Sequence, residues 1–259
     1  MILDQILEQT RKTVAQARRQ IALAEVEQQA AQAPAVRDFR AALRRPSAIA
    51  CISEFKRRSP SKGWIRQDAK PEVISSQYEA AGASAISVLT DEPFFGGTLD
   101  DLRKVRATVN IPVLRKDFVV DAYQIAEARA AGADAILLIV AALSRPDLAG
   151  LLAEVRRWGM HALVETHDRE EVETAVAVGA DIIGINHRDL RTFQMDMDLA
   201  TSLRPSIPAD RVVVAESGIR TVDDVTRMRT AGIDAILVGE SLMAGGDPGQ
   251  ALRGLLKRP

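Results

Sequence analysis

The chain reads as an α/β protein, a (β/α)8 TIM barrel with an N-terminal helical extension, on three observations. One phrase recurs four times: Ala81-Gly82-Ala83-Ser84-Ala85-Ile86, Ala131-Gly132-Ala133-Asp134-Ala135-Ile136, Val178-Gly179-Ala180-Asp181-Ile182-Ile183 and Ala231-Gly232-Ile233-Asp234-Ala235-Ile236. In each, a helical pattern ends at a Gly free to adopt the left-handed cap conformation, and a buried strand follows about three residues later. The four glycines stand about 50 residues apart, room for two strand-helix units per interval. Apolar runs fall where that spacing asks for them.

Taken in order, residues 1–33 carry Ile2, Leu3, Ile6 and Leu7, then more weakly Val14, Ala17, Ile21 and Ala24, among polar residues. That is the period of one amphipathic helix, which Pro34 ends. A second short helix is expected over 36–43, burying Val36, Phe39 and Leu43. Residues 1–46 thus form an extension packed on a single barrel domain spanning 47–259. The strands are expected at 48–53, 85–90, 112–117, 135–140, 161–166, 182–186, 211–217 and 235–239. Helical patterns separate them at 71–81, 99–108, 122–131, 145–158, 169–178, 199–203 and 222–231, with a closing helix over 248–256 that Asp247 can cap. Spacing alone leaves an open doubly wound sheet compatible with the same pattern.

Composition narrows the class. The 259 residues include 34 Lys plus Arg and 35 Asp plus Glu, a net charge of −1 with no long block of one sign. Nothing there suggests nucleic acid or a membrane surface as partner. Cys51 is the only cysteine and lies in an apolar run, so a buried thiol and a reducing cytoplasm are expected. No signal peptide is apparent, and the longest apolar run, 135–143, falls short of the roughly 20 residues of a membrane-spanning helix. A small-molecule substrate is the expected partner; the oligomeric state stays open, a monomer being compatible.

In such a barrel, active residues come from the C-terminal strand ends. The apolar strands end in polar residues: Glu54 and Lys56, Lys116 and Asp117, Glu165, Asn186, and Glu216 with Ser217. Alternation puts Ile52, Glu54 and Lys56 on one face, and pairs Lys116 with Leu114 and Phe118, Glu165 with Leu163, Asn186 with Gly184, and Glu216 with Val214. Brought together at the mouth, these opposite charges are expected to hold one another ionised in a site suited to concerted proton transfer. Ser217-Gly218 and Gly239-Glu240, each leading into a helix start, read as a phosphate cradle with Lys56 as countercharge. His161, His167 and His187 have no ligand-spaced partner for zinc, and no dinucleotide fingerprint or P-loop lysine pattern is present. Trp64, Phe94, Phe95 and Phe118 are candidates for an aromatic substrate wall.

These segments together make the chain resemble the indole-3-glycerol phosphate synthases of tryptophan biosynthesis. The discriminating matches are Ser53-Glu54-Phe55-Lys56 with Ser59-Pro60-Ser61, Ser87-Val88-Leu89-Thr90-Asp91-Glu92 with Phe94-Phe95-Gly96-Gly97, and Leu114-Arg115-Lys116-Asp117-Phe118. Leu163-Val164-Glu165, Gly184-Ile185-Asn186 with Arg188-Asp189-Leu190, Ala215-Glu216-Ser217-Gly218 and Val238-Gly239-Glu240-Ser241 follow in the family order. Two positions depart from the commonest pattern: His187 stands where many members carry a second Asn, and Arg58 where a small residue is frequent.

The resemblance implies a cofactor-independent lyase that closes the indole ring of 1-(2-carboxyphenylamino)-1-deoxyribulose 5-phosphate with loss of carbon dioxide and water. It implies Lys116 as general acid, Glu165 as general base, Glu54 and Lys56 assisting hydroxyl loss, and Asn186 and Glu216 orienting groups. Ser217, Gly218, Gly239 and Glu240 would bind phosphate, and Phe94, Phe118, Leu137 and Leu190 would line the aryl pocket with Arg188 at its edge. A sugar-phosphate aldolase or isomerase using a lysine Schiff base remains an alternative for the same barrel. So does a phosphometabolite-binding module without turnover.

Overall fold

A computed structural model describes residues 2–45, 48–189, 192 and 194–257. In chain order, its N-terminal segment forms α1 (Ile2–Gln20), α2 (Leu23–Gln32) and α3 (Phe39–Leu43). β1 (Ala50–Phe55) follows, then a hairpin of β2 (Arg58–Ser59) and β3 (Gly63–Trp64), α4 (Pro71–Ala80), β4 (Ala85–Leu89), α5 (Glu92–Phe95), α6 (Leu99–Thr108) and β5 (Val113–Lys116). The remaining elements are α7 (Ala122–Ala130), β6 (Ala135–Ile139), α8 (Arg145–Arg157), β7 (His161–Thr166), α9 (Arg169–Ala177), β8 (Ile182–Asn186), α10 (Leu199–Leu203), β9 (Val212–Glu216), α11 (Val222–Thr230), β10 (Ala235–Val238), α12 (Glu240–Met243) and α13 (Pro248–Leu255).

β1 pairs in parallel with both β4 and β10, so the sheet closes in the order β1-β4-β5-β6-β7-β8-β9-β10, and the open-sheet alternative falls away. Its two neighbours also set the limits of β1, pairing Ala50 with Ala235 and Phe55 with Val88. The strand therefore runs two residues later than the apolar run predicts, with Glu54 inside it. Cys51 and Phe55 face the helix layer, while Ala50, Ile52, Leu114, Leu137, Leu163, Val214 and Leu237 fill the barrel interior.

The repeated phrase does more than cap helices. Gly82, Gly132, Gly179 and Gly232 have φ between 77° and 91°, the left-handed cap expected of them. Two residues on, the polar position ties down the bottom of a neighbouring strand: Asp134 Oδ2 accepts from the Val113 N–H, Asp234 Oδ2 from the Val213 N–H, and Ser84 Oγ from the Cys51 N–H. Three of the four units thereby satisfy a strand-end donor of a neighbour, while the Asp181 carboxylate accepts from Arg156 and Arg211.

The N-terminal segment departs from the single long helix expected. The chain breaks after Gln20, where Ala22 is extended at ψ 147°, and Ile21 and Leu23 are exposed. Tyr123 Oη donates to the carbonyls of Ala17 and Ile21, satisfying the end of α1 from the barrel side. The next helix starts at Phe39 rather than Val36. Asp38 caps it, accepting from the Ala41 N–H, while the Arg37 N–H donates to Asp134 and its guanidinium to the Ile111 carbonyl. These helices cover both ends of the barrel: Phe39 and Leu43 are fully buried against its floor, and Leu3, Ile6 and Leu7 pack over its mouth. Among the described residues no helix is long and apolar enough to cross a membrane.

Removing the fully buried Phe39 ring is expected to leave a cavity in the floor. Phe39→Ala is expected to lower unfolding free energy by about 3–5 kcal/mol in a urea titration, whereas exposed Ile21→Ala should stay within about 0.5 kcal/mol. Equal effects would mean that α3 does not plug the barrel.

Candidate active site

The cavity at the C-terminal mouth is lined by Glu54, Lys56, Lys116, Glu165, Asn186, Glu216 and Ser217, so the polar strand ends expected to meet do meet. At the centre is the Lys116 ammonium, 3.1 Å from Glu216 Oε2, 3.6 Å from Glu165 Oε2 and 3.7 Å from Glu54 Oε2. Glu54 has a second cation, with Lys56 Nζ 2.8 Å from its Oε1. Asn186 Nδ2 donates to Glu165 Oε1 at 3.2 Å, and its Oδ1 accepts from the Arg188 N–H at 3.1 Å. The three carboxylates are 1–3 % exposed, so their charges interact with little water between them.

Local structure aims these groups. Asp117 faces outward, accepting from Thr90 Oγ1, from Arg115 Nη2 and from the Phe118 N–H, and this anchor behind β5 turns Lys116 and Phe118 inward. Two interior glycines make room. A Cβ on Gly184 would strike Glu216 Oε1, and one on Gly239 would come within 2.9 Å of the Glu54 Cβ.

The strand-end pattern predicts that these charges hold one another ionised, and one of them, Glu216, departs from that expectation. Burial works against charge on Lys116, but Glu216, Glu165 and Glu54 outweigh it and leave its pKa above the ordinary value. Burial likewise raises Glu54 and Glu165; Lys56 and Lys116 overcome it at the first, Lys116 and His167 at the second, leaving both low. Glu216 goes the other way. Burial and the adjacent Glu165 charge exceed what Lys116 supplies and push it up to about 8. Glu54 has Lys56 and Glu165 has His167 besides the shared Lys116, whereas among the described residues Glu216 is paired with Lys116 only, so it is Glu216 that keeps its proton.

At one side of the cavity lie Ser217, Gly218, Ile219, Arg220, Gly239, Glu240 and Ser241. Ser217 and Gly218 are consecutive left-handed residues, with φ 67° and 77°. His187 fixes this bend. It is 1 % exposed and burial lowers its pKa, so a neutral ring donates from Nδ1 to the Ser217 carbonyl at 2.9 Å. The Glu240 carboxylate turns toward Arg188 Nη2, 3.8 Å away, and Arg188 Nη1 reaches Ser61 Oγ at 3.5 Å. Arg58 is clear of the cavity lining, its guanidinium over the exposed Trp64 ring.

The opposite wall is apolar, with Leu137, Ile139, Phe118 and Phe95, the last two rings 6.1 Å apart. Here one expectation is corrected. Phe94 packs on the same apolar cluster, but it is Phe95 that lines the cavity, because α5 places consecutive residues about 100° apart around its axis. Leu190 lies outside the described residues. Sequence reasoning also missed Ile2, Leu3 and Ile6, which reach the cavity from α1, as well as Arg220 and His167. The apolar period of α1 showed a buried face without showing what it covers. Among the described residues no three His, Cys, Asp or Glu side chains are grouped to hold a metal ion.

Comparison with known proteins agrees with this geometry. Among solved structures, 3-hexulose-6-phosphate synthase from Salmonella typhimurium superposes with a TM-score of 0.64 at 13% identity, covering 81% of this chain and 97% of that one, a likeness of fold alone. Indole-3-glycerol phosphate synthase 2 of Streptomyces coelicolor is 55% identical over 227 residues, 88% of each chain. The indole-3-glycerol phosphate synthase of Mycolicibacterium gilvum is 49% identical over 255 residues, 98% of this chain and 93% of its own. Since the family model for indole-3-glycerol phosphate synthase also matches residues 3–255, the chain belongs to the indole-3-glycerol phosphate synthase family.

Proposed function

We propose that the cavity converts 1-(2-carboxyphenylamino)-1-deoxyribulose 5-phosphate into indole-3-glycerol phosphate, carbon dioxide and water, the carboxy-lyase step of tryptophan biosynthesis. The observation that carries this reading is one ammonium held among three carboxylates, with an aromatic wall on one side and glycine-containing loops on the other. A phosphoryl group at Ser217, Gly218, Gly239 and Glu240, with Lys56 and Arg220 as cations, sets the ketose carbonyl at mid-cavity. The aryl ring then lies against Phe118, Phe95 and Leu137. Such anchoring at both ends holds the reacting carbons near attack distance.

Ring closure needs the carbonyl carbon made electrophilic while the aryl carbon bearing the carboxylate attacks it. Lys116, kept charged by its neighbours, donates a proton to the carbonyl oxygen as the carbon-carbon bond forms. Loss of carbon dioxide returns the bonding pair to the ring. Glu165 then removes a proton, and Lys56, held by Glu54, protonates the departing hydroxyl. The proton gained by Glu165 can return to Lys116, 3.6 Å away, and Lys56 regains its own from water, the one proton that decarboxylation of a carboxylate consumes overall.

The same electrostatics disfavour the aldolase alternative. A lysine that forms a Schiff base must present a free amine near neutral pH, and Lys116 is held in the opposite state. Borohydride should therefore fail to trap a ketose phosphate on Lys116.

The direct test adds the carboxyphenylamino-deoxyribulose phosphate and follows indole fluorescence. Lys116→Ala and Glu165→Ala should each reduce turnover by at least about a hundredfold with the fold retained, the scale of a lost acid or base. Near-normal turnover in either variant would remove that residue's role. For Glu216, a raised pKa means the neutral form prevails at lower pH and its proton is lost as pH rises through about 8, adding a charge beside Glu165. We expect kcat/KM to fall over that range, and Glu216→Gln, which mimics the neutral carboxyl, to keep activity within about tenfold and flatten the fall. A pH profile unchanged by that substitution would show that Glu216 is not the group titrating.

A further inference from the structure

Among the described residues His167 belongs to no group that could hold a metal ion, yet it is far from idle. Its side chain is 9% exposed and lies immediately beyond the end of β7, with Nε2 3.2 Å from Glu165 Oε1 and Nδ1 3.1 Å from Glu171 Oε2. Glu171 sits in the first turn of α9 and folds back so that Oε2 also accepts the His167 backbone N–H at 2.8 Å. Asp168 secures that turn, accepting from the Glu171 N–H at 2.8 Å. The imidazole is thus clamped between a carboxylate at the cavity and another at its back. Nε2 is near Oε1 but off the line of a well-formed hydrogen bond, so charge carries the contact in the free protein. Alignments of this kind tighten when substrate binds.

Counting cations around the three carboxylates shows what the clamp is for. Lys116 serves all three until it gives up its proton. At that moment Glu54 still has Lys56, and Glu216 carries a proton of its own. Glu165 would be left as a buried anion with only the Asn186 amide, were it not for His167.

We propose that His167, gripped by Glu171, is a positioning residue for Glu165: an imidazolium that stays behind the carboxylate throughout the cycle and holds its charge and aim while Lys116 is neutral. This rests on Glu165 acting as the base. The groups facing the ring are Glu165 on its own strand, with Lys116 and Glu216 beyond it, and Glu171 from α9. β8 contributes only the neutral Asn186, and the turn at Val140–Ala142 packed on α9 has no titratable side chain. Burial opposes a charged ring, but the hydrogen bond to Glu171 and the charge of the two glutamates prevail and raise its pKa from 6.5 to about 10. The stabilisation this gives is complete below about pH 6.5 and is lost as pH rises through about 10.

The test compares the full-length protein with His167→Asn, Glu171→Gln and Glu165→Gln in the fluorescence assay across pH. His167→Asn should lower kcat by about tenfold to a hundredfold with KM within about threefold, and should move the acid limb of kcat up by about one pH unit because Glu165 loses a cation. Glu171→Gln should act in the same direction and less. The Tm deficit of His167→Asn should be largest below pH 6.5 and close toward pH 10. A structural role alone would move Tm and leave the acid limb in place. Wild-type kcat and acid limb in both His167→Asn and Glu171→Gln, with Glu165→Gln inactive, would overturn the positioning role alone. If His167→Asn fails to fold, the acid limb of Glu171→Gln decides: displaced, the proposal stands; in place, it falls. Normal turnover by Glu165→Gln would instead overturn the base assignment, and the positioning role with it.

Discussion

The site depends on how unevenly positive charge is shared among buried carboxylates. Three carboxylates reach the same buried volume, and Lys116 stands within 3.7 Å of all of them. Desolvation makes each uncompensated anion costly, so the cluster persists only because the remaining charge is met in three different ways. Lys56 serves Glu54, the His167 imidazolium serves Glu165, and Glu216 keeps a proton. A single constraint therefore gives three chemically similar side chains three different states. A general acid, a general base and a neutral hydrogen-bonding group then coexist within a few ångströms, as stepwise proton transfer requires.

Barrel geometry supplies the crowding, and small residues permit it. Eight strands aim alternate side chains into one narrow lumen, which ordinary apolar residues fill up to the last layer. At that layer Gly184 and Gly239 leave the space that the Glu216 and Glu54 carboxylates occupy. On the outer side, Asp117 is tied to Thr90 and Arg115, so the strand end bearing Lys116 is anchored from behind. Both faces of the wall contribute to the position of one ammonium.

The helices ahead of β1 complete the vessel. α3 closes the floor with Phe39 and Leu43, and α1 brings Ile2, Leu3 and Ile6 to the mouth, where they join the apolar side of the cavity. A strand-end rim alone would be open to water; with α1 across it, the aryl half of the cavity has an apolar lid and the charges beside it gain strength.

Sequence by itself determined the eight-unit alternation and the face of each strand-end residue, Glu54, Lys56, Lys116, Glu165, Asn186 and Glu216 among them, because period-two alternation and Gly-capped repeats are local properties of the chain. Only the tertiary structure decided that the sheet closes, that Phe95 rather than Phe94 faces the cavity, that α1 breaks at Ile21 and that α1 roofs the mouth. Each of these turns on a partner distant in sequence: β10 for β1, Tyr123 for the end of α1, the apolar wall for α5. The protonation states belong to the same class. Glu54, Glu165 and Glu216 look alike as strand ends in the sequence, and what separates them is which cation the fold brings to each.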